Sequence, residues 1–150
     1  MRAALVAVAF AAVAALGAGA CGSSSGERLS DEEYVSAADA ICKDANDRID
    51  ALPDPQTKDE LIAYISQART IGDEELAALR GLSPPAELED RANEAYGLLE
   101  QQLALTDDLE QAVRDEQYDR VDELTSRGQT LNDQADAIAA EIGLRECRST

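Results

Sequence analysis

Between Val121 and Ile142, apolar or small residues recur at Val121, Leu124, Gly128, Leu131, Ala135, Ile138 and Ile142, alternating steps of three and four without a miss. Only a helix turns at that rate, so the stretch must present one continuous apolar stripe. A single stripe cannot bury itself, and other helices have to cover it. Gly143 follows directly as a C-terminal stop, since glycine accepts the left-handed backbone that ends many helices.

The rest of the chain supplies the partners. Ser30 and Glu33 are spaced as a capping box, in which the serine oxygen and the glutamate each satisfy an amide that a first helical turn leaves unpaired. The helix that follows carries Tyr34, Ala38, Ile41, Ala45, Ile49 and Leu52 on one face until Pro53 and Pro55 stop it. Thr57 and Glu60 repeat the box, and Leu61, Ile65, Ala68, Leu76 and Leu79 lead to Gly81. Ser83 before Pro84 and Pro85 reads as a cap with proline in the first turn, opening a third helix with Leu88, Ala92, Ala95, Leu99, Thr106, Leu109 and Val113 on one side. Asp115 is placed to cap a fourth. No segment alternates as a strand would. The spacing therefore predicts helices over about 31–52, 58–80, 84–113 and 116–142, and short connections favour an all-α, antiparallel up-down-up-down four-helix bundle. Residues are 45% hydrophobic but only 3% aromatic, with no tryptophan, so small aliphatic side chains must fill the core and the helices must lie close.

Charge and residue types then exclude whole classes of chemistry. With 31 acidic and 13 basic residues the formal charge is −18, which repels phosphate backbones and anionic headgroups; nucleic acid is not an expected partner. Acid-to-base pairs four residues apart recur at Asp39–Lys43, Asp44–Arg48, Glu87–Arg91, Glu110–Arg114, Glu116–Arg120, Glu123–Arg127 and Glu141–Arg145, as solvated helix faces require. The absence of histidine removes histidine-based triads, Glu-x-x-His di-iron motifs and ordinary zinc sites. The stretch from Asp44 to Asp50 has the first spacing of a calcium loop. However, Arg48 stands at its fifth position, Ile49 replaces the turn glycine and Pro55 falls where the bidentate glutamate belongs. Asp107 and Asp108 are adjacent, and adjacent residues on a helix diverge, so they do not read as an acid–base pair. No catalytic residue, cofactor or metal is expected.

The N-terminal segment decides where the domain works. Arg2 precedes a 14-residue apolar run from Ala3 to Leu16, short for a bilayer span and suited to a signal segment. Gly17, Ala18, Gly19 and Ala20 then lead to Cys21, and this stretch resembles the lipobox of bacterial lipoproteins. The family pattern prefers leucine where Ala18 stands, and Ala18-Gly19-Ala20 also fits an ordinary signal-peptidase site at the same bond. The resemblance implies a signal peptide over 1–20 and diacylglycerol on Cys21, which would be the mature N-terminus. Of the three cysteines that leaves Cys42 and Cys147, an even pair that can form a disulfide in an oxidising compartment. An up-down bundle makes the same demand, because it returns the end of the fourth helix to the start of the first. Residues 21–29 then form the lipidated cysteine and its tether, and 30–150 the bundle and tail. The "GSSSG" from Gly22 to Gly26 is flexible, and the eight residues Gly22 to Leu29 would hold the domain roughly 16 Å from its anchor.

Three further stretches, "YVSAADAICKDANDRIDALPDP", "LRGLSPPAEL" and "AEIGLRECRS", resemble a group of small helical lipoproteins of high-GC Gram-positive bacteria. The shared features are Cys42 early in a helix, Leu82 with Pro84 and Pro85, and Cys147 just after Gly143 and Leu144. That resemblance implies the fold and the disulfide, and no activity. The expected function is that of an extracytoplasmic protein anchored to the cell membrane through lipid on Cys21, a non-enzymatic interaction or structural component of the envelope that meets an envelope protein. The alternative is a module that binds a small ligand or cations. An apolar pocket above about 300 Å³ favours the alternative, and a filled core with an exposed apolar patch favours a protein partner.

Overall fold

A computed structural model describes residues 28–148. The signal segment, Cys21 and the tether up to residue 27 lie outside the described residues. Four helices make up the fold: α1 (Asp31–Asp50), α2 (Lys58–Arg80), α3 (Glu89–Arg114) and α4 (Tyr118–Ile142). They form an all-α four-helix bundle, with no strand among the described residues.

Both predicted capping boxes are made. The Ser30 Oγ accepts from the Glu33 amide while the Glu33 carboxylate accepts from the Ser30 amide, and Thr57 and Glu60 repeat the exchange. Replacing Thr57 with alanine should cost about 1 kcal/mol, because the Glu60 amide then loses its acceptor. Urea unfolding of Thr57→Ala against the parent chain measures it, and an unchanged midpoint would show that water substitutes for the cap.

Two predicted helix starts are displaced. The third helix begins at Glu89 rather than at 84, with no side-chain cap. Pro85 bars its predecessor from the helical region. The loop backbone is also engaged elsewhere: the Leu29 amide donates to the Ser83 carbonyl at 2.9 Å, Arg28 Nη1 to the Pro84 carbonyl at 2.9 Å, and the Leu88 amide to Pro85 at 3.1 Å. Likewise Asp115 does not open the fourth helix, which starts at Tyr118; Asp115 closes α3. Glu116 there takes a left-handed φ of 57°, and the Gln117 amide reaches back to the Ala112 carbonyl at 2.9 Å, a helix stop usually built on glycine. Lys58, at the start of α2, pairs with Glu116 at 2.6 Å and holds it in place. The first helix ends at Asp50, two residues short of the expected boundary.

Cross-helix pairs fix the directions. From one end to the other, α2 meets α3 and the turn that follows it through Lys58–Glu116, Arg69–Asp107 and Arg80–Glu100, so the two helices run antiparallel. The same descending order joins α3 to α4 through Asp108–Arg120, Gln102–Asn132 and Arg91–Glu141. Arg48 near the end of α1 pairs with Glu74 in α2, which sets α1 against the C-terminal half of α2. Of the seven pairs read from i,i+4 spacing, two are made, Asp44–Arg48 and Glu110–Arg114. Lys43, Arg91 and Arg120 turn to different carboxylates, the two arginines partly on a neighbouring helix, because exposed pairs differ by only a few tenths of a kcal/mol and local spacing does not choose among them.

The main core gathers Tyr34, Ala38 and Cys42 of α1, Leu76 and Leu79 of α2, Ala92, Tyr96, Leu98 and Leu103 of α3, and Ile138, Ala139 and Ile142 of α4. A smaller cluster of Leu105, Ala112 and Leu124 joins α3 to α4 beyond it. Gly72 lets α2 approach α3 closely: a Cβ there would lie 2.6 Å from Leu103 Cδ2. Gly143 ends α4 with φ 95°, the Leu144 amide bonding back to Ala139 at 2.8 Å, and this turn buries Leu144 against the core.

Candidate functional site

Leu144 starts a tail that runs back along α1. Asp39 receives it, its Oδ1 accepting the Arg145 and Glu146 amides at 2.8 and 3.0 Å, while Asn46 Nδ2 donates to the Glu146 carbonyl at 2.8 Å. The Cys42 and Cys147 sulfurs stand at bonding distance, 1.98 Å, with their Cα atoms 5.0 Å apart. The two cysteines singled out in the sequence are thus brought together, and Asp39 is the unforeseen residue that docks the tail.

Beneath this clasp lies a cavity of about 210 Å³ with walls from every helix and the tail. Leu79 and Glu75 come from α2, Tyr34, Cys42 and Asn46 from α1, Ala95, Tyr96, Leu99 and Gln102 from α3, and Asn132, Ala135, Ala139 and Ile142 from α4. Small residues explain the space. Alanines at 95, 135 and 139 stand on core-facing positions where larger side chains would meet in the middle.

Glu75 is the unusual member. It is half-buried, and removal from water alone pushes its carboxyl up to about 7. The neighbouring cation, Arg48, is committed to Glu74 and Asp44. Tyr34 and Tyr96 meet across the bundle with their hydroxyl oxygens 2.8 Å apart, and burial raises both phenols. Two hydroxyls that share one hydrogen bond use one proton and leave the other uncommitted. Gln102 Nε2 donates to Asn132 Oδ1 at 3.3 Å, so each amide keeps a further polar atom for something in the cavity.

The remaining sequence candidates do not converge. Asp107 takes Arg69 of α2, and Asp108 takes Arg120 of α4. The stretch that faintly matches a calcium loop is continuous α1, with Asp44 on Arg48 and Asp47 on Lys43. Among the described residues no three Asp, Glu or Cys side chains are gathered to hold a metal ion, and no helix is long and apolar enough to cross a membrane. The cavity falls below the 300 Å³ mark and is part polar; shallower grooves open to solvent exceed the mark, such as one of about 410 Å³ between α3 and α4 lined by Leu105, Leu109 and Leu124, and among the described residues the exposed large hydrophobic is Tyr118 alone, so the described surface offers open apolar grooves rather than one broad apolar patch.

Glu75 was legible in outline. Stepping by three and four through α2 from Ala68 gives Gly72, Glu75 and Leu79, so a carboxylate occupies a stripe position directly after a glycine. The Tyr34–Tyr96 pairing carries no such local signal, since 62 residues separate its partners. Compared with known proteins, the chain matches no family model, no curated protein and no solved structure.

Proposed function

We propose that this chain is an exported domain, held at the outer face of the cell membrane by acyl chains on Cys21, that works in the envelope by non-covalent interaction and carries out no reaction. The observation that supports it most is the Cys42–Cys147 pair. A structural disulfide persists in oxidising, extracytoplasmic compartments. With two of the three cysteines joined, Cys21 alone remains, at the end of an apolar, signal-like segment. Absence of histidine from the whole chain and the divergence of Asp107 and Asp108 agree with a role in binding.

Replacing Cys21 with serine tests the anchor. Fractionation of cells should move the protein from the membrane pellet to the soluble fraction, and intact mass of the parent chain should show diacylglycerol on the N-terminal cysteine. Unchanged membrane retention of Cys21→Ser, or a mature mass without lipid, overturns the proposal.

A further inference from the structure

We propose that the cavity under the tail binds a small organic monocation, a compact amine whose ammonium meets the Glu75 carboxylate while its apolar body lies against Leu99, Ala135 and the Cys42–Cys147 bridge. Four observations carry this. The first is charge. Glu75 is the α2 carboxylate that lines the cavity, standing between it and the outer α1–α2 groove that Arg48 also lines, and among the described residues no cation is bonded to it: Arg48 is held by Glu74 and Asp44. A carboxylate taken from water without a partner is a cost to the fold, which a ligand cation would offset. Burial alone also raises its proton affinity.

The second is the nature of the walls. Leu79, Ala95, Leu99, Ala135, Ala139 and Ile142 make more than half of the lining apolar, a surface that a hydrated inorganic ion leaves unused, whereas an amine with a hydrocarbon body matches both parts. A metal ion would require several hard oxygen ligands on one point. The described residues assemble no such set. The third is size. An engineered 150 Å³ apolar cavity in another protein holds benzene. By that comparison, 210 Å³ suits a molecule of about ten non-hydrogen atoms at most.

The fourth is direction. Asn46, Gln102 and Asn132 each have a polar atom left over after their hydrogen bonds, and the tyrosine pair leaves one hydroxyl proton, so a ligand with one polar group beside its ammonium can be oriented. The surface field agrees, because a chain of net charge −18 concentrates cations and repels anions. At the tail side of the cavity Glu146 and Arg148 carry opposite formal charges and together leave that sign unchanged.

The test uses the folded, oxidised protein at pH 8 and three probes of one shape: benzylamine, benzyl alcohol and benzoate. Titration followed by amide NMR should give saturable shifts at Glu75, Gln102 and Asn132 with benzylamine, binding about tenfold weaker or less with the alcohol, and none with benzoate. Glu75→Gln keeps shape and removes charge, and should weaken benzylamine about tenfold or more. Ala135→Leu keeps Glu75 and fills the space, and should abolish binding. Urea unfolding establishes that each variant folds; if Ala135→Leu does not, Glu75→Gln and the alcohol decide. Equal binding of amine and alcohol, equal binding by parent and Glu75→Gln, shifts confined to the outer acidic faces, or no binding of benzylamine would each overturn the proposal. No arm depends on Cys21, so this result and that of the anchor test are independent.

Discussion

Removing the Cys42–Cys147 bridge as the double variant Cys42→Ala, Cys147→Ala is expected to lower stability by about 3 to 4 kcal/mol. The bridge closes a loop over a sequence separation of 105 residues. In the chain-entropy account, such a loop restricts the unfolded ensemble by up to about 4.7 kcal/mol. Alanine at both positions avoids leaving buried thiols, so the loss reports the cross-link with a small packing term from Cys42, which is 1% exposed. The midpoint of urea unfolding should fall while its slope rises, because the freed unfolded chain exposes more surface. A loss below about 1 kcal/mol would mean that Asp39, Asn46 and buried Leu144 hold the tail unaided.

Stability should also fall as pH is raised from 5 to 8, and Glu75→Gln should abolish most of that fall. Glu75 has a carboxyl raised from 4.5 to about 7 by burial. In the folded state it therefore binds more protons than in the unfolded state throughout that interval, and stability declines as pH rises and levels off above about 7. The full shift corresponds to about 3 kcal/mol, an upper figure that residual solvent contact at the cavity mouth reduces. Groups facing Glu75 from the other elements do not reverse the sign. Arg48 and Asp44 of α1 pair with each other, Tyr96 of α3 titrates far above the window, and Glu146 and Arg148 of the tail are exposed and opposite in charge. Glu33 and Glu116, whose carboxyls are held low by Ser30 and Lys58, act in the contrary direction at acid pH, where their protonation loses native contacts. Urea midpoints of parent and Glu75→Gln at pH 5, 6.5 and 8 measure the effect. Parallel curves for the two proteins would place the carboxyl in water.

Much of this architecture is written in short-range pattern. Ser30, Thr57 and Gly143 mark helix ends that the structure keeps, because capping is chemistry between residues three or four apart. Ser83 and Asp115 failed as starts for a different reason. Each has the right side chain, but the Ser83 carbonyl is taken by Leu29 from the far end of the chain, and Asp115 sits in a turn that the Ala112 carbonyl closes. The cysteine pairing followed from parity and topology, both global properties of the chain. Where Glu75 stands could be read from its stripe, but not what surrounds it, since the cavity exists only where Ala95, Ala135 and Ala139 of other helices leave room. The partners of arginines were the least legible, as weakly preferred alternatives on a solvated surface must be.

Arg28 and Leu29 are sewn to the α2–α3 loop, and α1 is bolted near its middle to the tail. If the chain hangs from lipids, mechanical load enters at Arg28. Tugging would first unzip the Ser83 and Pro84 contacts and then peel the leading turns of α1. At Cys42 the unravelling meets a covalent stop, and from there the strain passes to the tail and so to α4. The clasp would thus serve as a strain relief between cell surface and domain.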